Sequence, residues 1–179
     1  MGTFLVTGAN RGIGLEFCRQ LQARHDDVIA VCRQSSEELD ALDVEIQSGI
    51  ELTSEASITA LVQNLEGRLL DGVILNAGTL QSMDLNTLNA EGIRYQFEVN
   101  ALAPLLLTQA LIGQMPCGAK LALITSRMGS IDDNTSGGSY GYRMSKVALN
   151  IAGRSLSIDL KPRGIAVAIL HPGLSSTRM

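Results

Sequence analysis

The sequence has no surplus of basic residues and no apolar stretch long enough to cross a bilayer. It carries 14 lysines and arginines against 18 acidic residues, a formal net charge of −4, which argues against a binding surface for nucleic acid or an anionic membrane. The longest apolar runs, 101–107 and 165–170, are far shorter than the roughly 20 residues that a spanning helix needs. The N-terminus shows no basic region followed by a long apolar one, so we expect no secretory signal and a cytoplasmic location.

Cysteine is also scarce, and the three that occur are scattered. Cys18, Cys32 and Cys117 form no CxxC pair, which argues against structural zinc, so we expect no metal site. Their odd number and spacing indicate a reduced, intracellular compartment, and all three are interpreted as buried thiols acting as small hydrophobic groups. Repeats, low-complexity tracts and linkers are absent, and residues 1–179 are predicted to form a single domain.

What the sequence does have is a regular alternation of apolar runs and helical patterns. Six near-continuous apolar runs are predicted to be strands buried on both faces: 3–8, 27–33, 50–53, 71–78, 120–126 and 165–173. Four intervening segments are predicted to be helices: 12–24, 54–67, 86–113 and 140–160. The alternation implies an α/β fold, a Rossmann-like doubly wound parallel sheet of about six strands in the order 3-2-1-4-5-6, flanked by helices.

A glycine-rich turn follows the first predicted strand and opens a helix. The segment TGANRGIG at 7–14 has its glycines in G-x-x-x-G-x-G spacing. Glycines permit a tight turn and close backbone approach, and the N-terminus of the following helix favours an anion. We therefore interpret this segment as the cradle of a dinucleotide pyrophosphate rather than as an ordinary βα turn. The expected cofactor contacts are Gly8, Asn10, Arg11, Gly12, Ile13 and Gly14.

The end of the second predicted strand indicates which dinucleotide binds. An acidic residue there would bind the ribose 2′-hydroxyl of NAD, whereas an arginine accommodates the 2′-phosphate of NADP. The chain has Cys32 and Arg33 at this place, with Arg11 in the glycine turn. Each arginine alone also fits a solvated surface residue, but the pair and the missing acid favour NADP(H) over NAD(H). Glu51, expected to end the third strand beside Leu52, either accepts from the adenine amine or is an exposed carboxylate.

Six short motifs occur in order along the chain. They are TGANRGIG (7–14), NAG (76–78), VNALAP (99–104), the serine of ITSRMG (124–129), YRMSK (142–146) and HPG (171–173). Together they resemble the short-chain dehydrogenase/reductase family over essentially the whole chain, and the run from Ser126 to Lys146 resembles its branch of C-factor and sniffer-type carbonyl reductases. The resemblance implies an NADP(H)-dependent carbonyl reductase acting on a small-molecule carbonyl or alcohol, and a homodimer or homotetramer.

Two tyrosines precede one lysine in SYGYRMSK (139–146), and helical spacing separates their roles. Residues four apart share a helix face and residues six apart point in nearly opposite directions, so Tyr142 can share a pocket with Lys146 and Tyr140 cannot. By resemblance, Tyr142 protonates the substrate carbonyl oxygen as hydride arrives from the nicotinamide. Lys146 would lower the pKa of that tyrosine and hydrogen-bond the nicotinamide ribose.

Two further residues complete the predicted catalytic set. Ser126 ends an apolar strand, where α/β folds place ligands, and the resemblance gives it the role of polarising the substrate carbonyl. Ser130 is a rival, because the gap from Ser126 to Tyr142 is longer than is common in the family. Asn100 either holds a water that relays protons, as the resemblance implies, or satisfies a helix kink before Pro104.

The remaining motifs complete the predicted cofactor site. Asn76, Ala77 and Gly78 end a strand beside the expected adenine-ribose pocket. HPGLSST at 171–177 resembles the loop that contacts the nicotinamide through Pro172, Gly173, Leu174 and Thr177, although Leu174 stands where an aromatic residue is frequent. The polar segment 130–141 either lines the substrate mouth or is plain surface.

The last predictions concern the end of the chain and the alternative function. Family members usually continue after the nicotinamide loop with two helices and a strand, so the resemblance predicts a substrate pocket lacking one wall if the 179 residues are the whole protein. The sequence leaves open whether the short form is natural, is cleaved or lacks a remainder. A pocket lacking one wall favours a second function class, a cofactor-binding regulatory or signalling protein with little turnover. The complete set of predicted catalytic residues favours the enzyme.

Overall fold

The structure is a computed structural model, and it describes residues 1–173. The strands are β1 (Thr3–Thr7), β2 (Asp27–Val31), β3 (Glu45–Gln47), β4 (Gly72–Leu75), β5 (Lys120–Ile124) and β6 (Ala166–Leu170). The α-helices are α1 (Gly12–Ala23), α2 (Glu37–Asp40), α3 (Glu55–Asn64), α4 (Ala90–Phe97), α5 (Ala103–Leu111) and α6 (Tyr140–Asp159). In the part of the chain so described, none of the helices is long and apolar enough to span a bilayer.

The strands form one parallel sheet in the order β3-β2-β1-β4-β5-β6, which confirms the predicted doubly wound topology. The order reverses at β1, where Val6 lies beside Ala30 of β2 on one side and Ile74 of β4 on the other. At such a reversal the loops that follow the two strands diverge and leave a crevice at the carboxyl edge of the sheet. That crevice contains the candidate site.

Both faces of the sheet are covered, and each has its own apolar core. Leu5 of β1 packs into a cluster that includes residues of α3, α5 and α6. The next residue, Val6, packs into a second cluster that includes Leu15 and Cys18 of α1. Because successive strand residues point to opposite faces, burial on both sides requires apolar residues at every position. This explains the continuous apolar runs in the sequence.

The strand predicted at 50–53 is wrong. The third strand is β3, an edge strand in which Ile46 is the apolar residue that packs against the core. The chain turns after β3 at Gly49, and Ile50 is then buried in the core without extending the ladder. The apolar character of 50–53 therefore serves packing, and Glu51 lies in the loop before α3 rather than at a strand end.

The other strands are placed correctly, but each ends a few residues before its predicted boundary. The predicted ends at 8, 33, 78, 126 and 173 all fall in the loops that follow the strands. These residues leave the ladder because they turn toward the crevice. The four-residue helix α2 was not expected from the sequence, since it is too short to show a periodic pattern.

The single helix predicted at 86–113 is interrupted. The helical path starts at α4, after the N-cap Asn89, and passes through a π-helical segment, Glu98–Leu102, into α5. Pro104 has no N–H, and its ring clashes with the carbonyl four residues earlier, which belongs to Asn100. The wider turn accommodates this proline, and it places Asn100 at the interruption.

The cysteine prediction holds for two of three residues. Cys18 and Cys32 are buried, and burial raises the pKa of both thiols. Cys117 is exposed, which corrects the expectation of a third buried thiol. It lies in the turn before β5, against Gly164, rather than in a strand or helix facing the core.

Candidate active site

A cavity of about 1390 Å³ opens at the carboxyl edge of the sheet. Pockets for drug-sized molecules measure roughly 300–1000 Å³, so this one has room for a dinucleotide together with a substrate. Of the predicted site residues in the described chain, all but Gly14 and Asn100 line it: Gly8, Asn10, Arg11, Gly12, Ile13, Arg33, Glu51, Leu52, Asn76, Ala77, Gly78, Ser126, Tyr142, Lys146, Pro172 and Gly173. Leu174 and Thr177 lie outside the described residues.

One end of the cavity, the glycine-turn end, consists of residues 7–14 with Arg33 and Glu51. Gly8 has a left-handed backbone, with φ of 65°. A Cβ on Gly14 would lie 2.2 Å from the carbonyl oxygen of Gly8 and 2.6 Å from Asn76 Nδ2. Gly14 therefore stays behind the cavity wall, where the absence of a side chain lets α1 start directly against the turn.

The first turn of α1 is available for an anion. Arg11, its N-cap, makes no side-chain capping bond, and the first turn contains no acidic residue. Unsatisfied amides and the helix dipole at this position favour a negatively charged group. The cradle and the free helix start fit a dinucleotide phosphate, as the spacing of the glycines predicts.

Thr7 fixes the turn to the neighbouring strand and was missed in the sequence. Its Oγ1 accepts from the backbone N–H groups of Asn76 at 3.0 Å and Ala77 at 3.1 Å. Asn76 Nδ2 donates in return to the carbonyl oxygens of Thr7 at 3.1 Å and Gly8 at 3.3 Å. The NAG motif thus holds the glycine turn in place from the adjacent strand end.

Arg33 projects into the same end of the cavity with two partners. Its Nη1 lies 3.6 Å from a carboxylate oxygen of Glu51 and donates to the Tyr95 hydroxyl at 3.3 Å. Tyr95 comes from α4 and also lines the cavity, a contact that nothing in its sequence position indicated. Glu51 reaches the cavity as predicted, although from a loop.

The other end, the tyrosine end, contains Ser126, Tyr142, Lys146 and Asn100. Ser126 follows β5, accepts from Met128 N at 3.1 Å, and is hydrogen-bonded to Tyr142. Its rival Ser130 does not line the cavity, and its hydroxyl accepts from Asp133 N at 3.2 Å. The geometry therefore brings Ser126, and not Ser130, to the tyrosine.

Burial sets the direction in which the pKa of Tyr142 is shifted. Tyr142 is only 4% exposed, so burial raises its pKa, and the Ser126 hydrogen bond offsets only part of the rise. Lys146 Nζ lies 5.7 Å from the ring centroid. The dominant influence on the pKa of Tyr142 is removal of the phenolate from water, and a lowering of that pKa by Lys146 stays a prediction.

Lys146 is buried as deeply as the tyrosine. It is 4% exposed, and its Nζ donates to the carbonyl oxygen of Ile124, at the end of β5, over 2.9 Å. Burial lowers its pKa from 10.5 to about 8. Tyr140, by contrast, does not line the cavity, in agreement with the helical spacing.

The Asn100 side chain does not line the cavity but forms hydrogen bonds with the loop after β4 and with α6. Its Nδ2 donates to Thr79 O at 2.8 Å and to Ser145 Oγ at 3.0 Å, while its Oδ1 accepts from Thr79 N at 2.8 Å. Ser145 Oγ donates onward to Tyr142 O at 2.8 Å. Both amide protons are engaged within the protein, and none of the partners belongs to the interrupted helix itself. The proton relay stays a prediction.

The polar segment 130–141 lines the cavity mouth through Asp133, Thr135 and Ser136. Asp133 pairs with Arg127, and Ser136 accepts from Arg143, a residue that the sequence interpretation had not used. Of the two interpretations of this segment, the structure supports the one in which it lines the mouth of the cavity. Among the residues that the structure describes, no cluster of three potential metal ligands occurs.

A doubly wound sheet with a glycine turn at its strand reversal defines a Rossmann-type α/β protein. The chain matches the short chain dehydrogenase family over residues 2–179 and belongs to that family of oxidoreductases. It is 41% identical to 1-hydroxy-2-glutathionyl-2-methyl-3-butene dehydrogenase of Rhodococcus sp. (strain AD45), over 99% of this chain and 79% of the relative. It is 52% identical to the C-signal protein of Myxococcus xanthus over 85 residues, 46% of this chain and 51% of the relative.

Solved structures extend the comparison. Carbonyl reductase Sniffer of D. melanogaster superposes with a TM-score of 0.91 at 30% identity, covering 100% of this chain and 83% of that one. An NADPH-bound carbonyl reductase from chicken fatty liver gives 0.89 at 32% identity, covering 99% and 81%. The predicted family and its C-factor and sniffer-type branch are thus confirmed.

Proposed function

We propose that the protein is an NADP(H)-preferring short-chain reductase that interconverts a carbonyl compound and the corresponding alcohol. The observation that carries the proposal is the buried tyrosine end, where Ser126 is hydrogen-bonded to Tyr142 one helical turn before Lys146, at the wall of a cavity with room for cofactor and substrate. The bound nicotinamide would supply the hydride. The likeness to an NADPH-bound carbonyl reductase supports both the reaction and the cofactor.

The residues would act on the carbonyl oxygen. Burial raises the pKa of Tyr142, so this residue is protonated near neutral pH. Its phenol can then donate a proton to the carbonyl oxygen as negative charge develops there. Ser126 would hold the same oxygen through its hydroxyl. Lys146, with a pKa of about 8, is close to the range in which it can return a proton to the tyrosine.

The cofactor would lie along the rest of the cavity. Gly8, Gly12 and the open start of α1 would receive the pyrophosphate, and Arg11 and Arg33 would receive the 2′-phosphate. In the described chain, Arg11 forms no ion pair, which leaves its charge available. The small-molecule substrate, the cytoplasmic location, the single domain and a homo-oligomeric state stay predictions.

The test is NADPH oxidation, followed by nicotinamide absorbance, with ketones, quinones and aldehydes as substrates. A glutathionyl substrate belongs in the panel because the Rhodococcus relative is named for one. Tyr142→Phe removes the acid and should lower kcat by about 100-fold to 10000-fold. Tyr140→Phe, the matched control outside the cavity, should stay within about twofold.

The likeness to C-signal supports a second candidate, a cofactor-binding signalling protein with little turnover. Tight NADPH binding without oxidation by any substrate would favour it.

Loss of activity in Tyr140→Phe, with Tyr142→Phe fully active, would refute the assignment of Tyr142 as the acid.

A further inference from the structure

Arg143 lines the cavity directly after the proposed acid, and most of its guanidinium is without a partner. Nη2 donates to Ser136 Oγ at 2.9 Å. Nε and Nη1 are buried and form no hydrogen bond with any residue that the structure describes. The Arg143 side chain is half-buried, and the hydrogen-bond partner of its guanidinium is one neutral hydroxyl at the exposed Nη2.

The other charged groups of the cavity have partners or proposed roles. The cavity-lining arginines, lysine and carboxylates are Arg11, Arg33, Glu51, Arg127, Asp133, Arg143 and Lys146. Arg33 contacts Glu51, and Arg127 pairs with Asp133. Arg11 and Arg33 lie at the glycine-turn end, where the cofactor phosphates are proposed to bind. Only Arg143, in the part of the chain that is described, then lacks both an acid and a proposed role.

This arrangement is costly unless an anion joins it. Removing two of the three guanidinium nitrogens from water without a counter-charge is unfavourable, and a hydroxyl at the third compensates for only a small part of that loss. A planar guanidinium matches a carboxylate through two parallel hydrogen bonds. One unpaired guanidinium corresponds to one carboxylate, whereas a phosphate dianion would call for a second cation.

We infer that Arg143 recognises a carboxylate on the substrate, so that the preferred substrates are carbonyl or alcohol compounds bearing an acid group. This inference rests on the proposed function and specifies its substrate class. The segment that contains Ser136 connects to α6 through Gly137, Gly138 and Ser139, which all have left-handed backbones. The carboxylate would join Ser136 at the guanidinium, at the cavity mouth.

The experiment compares matched substrates that differ in one charge. Succinic semialdehyde and para-formylbenzoate are each measured against their methyl esters, and kcat/KM is determined with NADPH. The wild-type protein should prefer each acid by about tenfold to a hundredfold, the range expected for a hydrogen bond to a charged group. Arg143→Gln should reduce the acid-to-ester ratio to about one, mainly through KM.

Two further variants separate charge recognition from structural damage. Arg143→Lys keeps the positive charge and should retain part of the acid preference. Arg154→Gln is the matched control on the same helix, where the arginine contacts Ser157 away from the cavity, and it should keep the wild-type ratio. Equal acid-to-ester ratios in wild type and Arg143→Gln would overturn the inference while leaving the reductase proposal intact.

A binding measurement decides the matter if no aldehyde is turned over. Calorimetry with NADPH-loaded protein then compares para-hydroxymethylbenzoate with its methyl ester. Tighter binding of the acid, lost in Arg143→Gln, would support carboxylate recognition even though the proposed reaction had failed. Equal binding of the two compounds would refute it.

Discussion

At the glycine-turn end of the cavity the charged side chains reach into solvent, Arg33 with 63% of its side chain exposed, whereas Tyr142 and Lys146 at the tyrosine end are each 4% exposed. The glycine-turn end presents backbone amides and exposed cations, a suitable surface for phosphates. The tyrosine end presents fixed, buried side chains. The two ends therefore differ in how much their charged and titratable side chains are exposed to solvent.

Burial shifts the pKa values of Tyr142 and Lys146 in opposite directions at the tyrosine end. It raises the pKa of Tyr142 and lowers that of Lys146, so both shifts favour the uncharged forms. The pKa of Lys146 therefore falls below that of Tyr142, so a protonated Lys146 is a stronger acid than the phenol and can return a proton to the phenolate. The network of Asn100 and Ser145 fixes the helix that carries both residues.

The largest expected effect at the tyrosine end is that of Lys146→Met on stability. The folded protein releases the lysine proton at about pH 8, whereas the ordinary pKa of 10.5 applies to the unfolded chain. Between these values the unfolded state binds more protons, so the stability of the wild type rises with pH. The buried charge costs up to about 3 kcal/mol below pH 8.

Lys146→Met removes this charge, so its advantage over the wild type should shrink as the pH rises from 8 to 10.5. Urea unfolding at several pH values, without cofactor, measures the difference. Lys161→Met, at an exposed position, serves as the control and should show no such dependence. If the difference in the free energy of unfolding between Lys146→Met and wild type stayed constant with pH, burial would not be what sets the pKa of Lys146.

At the glycine-turn end, the substitution expected to have the largest effect is Gly14→Ala, which acts on the backbone packing of the turn. The added methyl would lie 2.2 Å from Gly8 O, so α1 or the turn must shift. We expect a loss of about 1–3 kcal/mol in the free energy of unfolding and cofactor binding weakened about tenfold. Gly113→Ala, where no atom lies within 4 Å of the new methyl, should change neither quantity. Unfolding and cofactor titrations of both variants make the comparison, and equal behaviour would contradict the close approach.

The sequence predicts the sheet and the glycine turn well, because burial on both faces and backbone chemistry leave direct patterns. It predicts β3 badly, since an edge strand with Ile46 as its apolar contact produces no run. The π-helical segment differs from an α-helix only in the register of its backbone hydrogen bonds, which the sequence does not reveal directly. Pro104 is the residue that indicates an interruption there. The pKa of Tyr142 depends on how deeply its ring is buried, which spacing along a helix does not determine.

Residues recruited by tertiary contact are the other class that the sequence conceals. Tyr95 of α4 meets Arg33, which follows β2, although their separation along the chain is 62 residues. In the sequence Arg143 looks like an ordinary surface position of α6, and its hydrogen bond to Ser136 depends on the path of the preceding segment. Such residues follow from the fold, so no local motif marks them.

A smaller effect is expected from Arg33→Ala at the exposed glycine-turn end. Losing a cation near the proposed 2′-phosphate should weaken NADPH binding about tenfold and leave NADH binding within about twofold. Parallel titrations with the two cofactors measure the change, and Arg94→Ala on α4 provides an arginine outside the cavity as control. Equal losses for NADPH and NADH would refute the basis of the NADP preference.

The smallest change in cofactor binding is expected from Glu51→Gln, also at the glycine-turn end. The Glu51 carboxylate lies 3.6 Å from Arg33 Nη1 and therefore competes with a phosphate for that guanidinium. Because the pair is exposed, the attraction is weak, and its removal should improve NADPH binding by only about twofold. The gain should disappear in Arg33→Ala/Glu51→Gln, since the carboxylate is proposed to act through the arginine. A gain that persists in the double variant would place Glu51 against the cofactor directly, as in the predicted contact with the adenine amine.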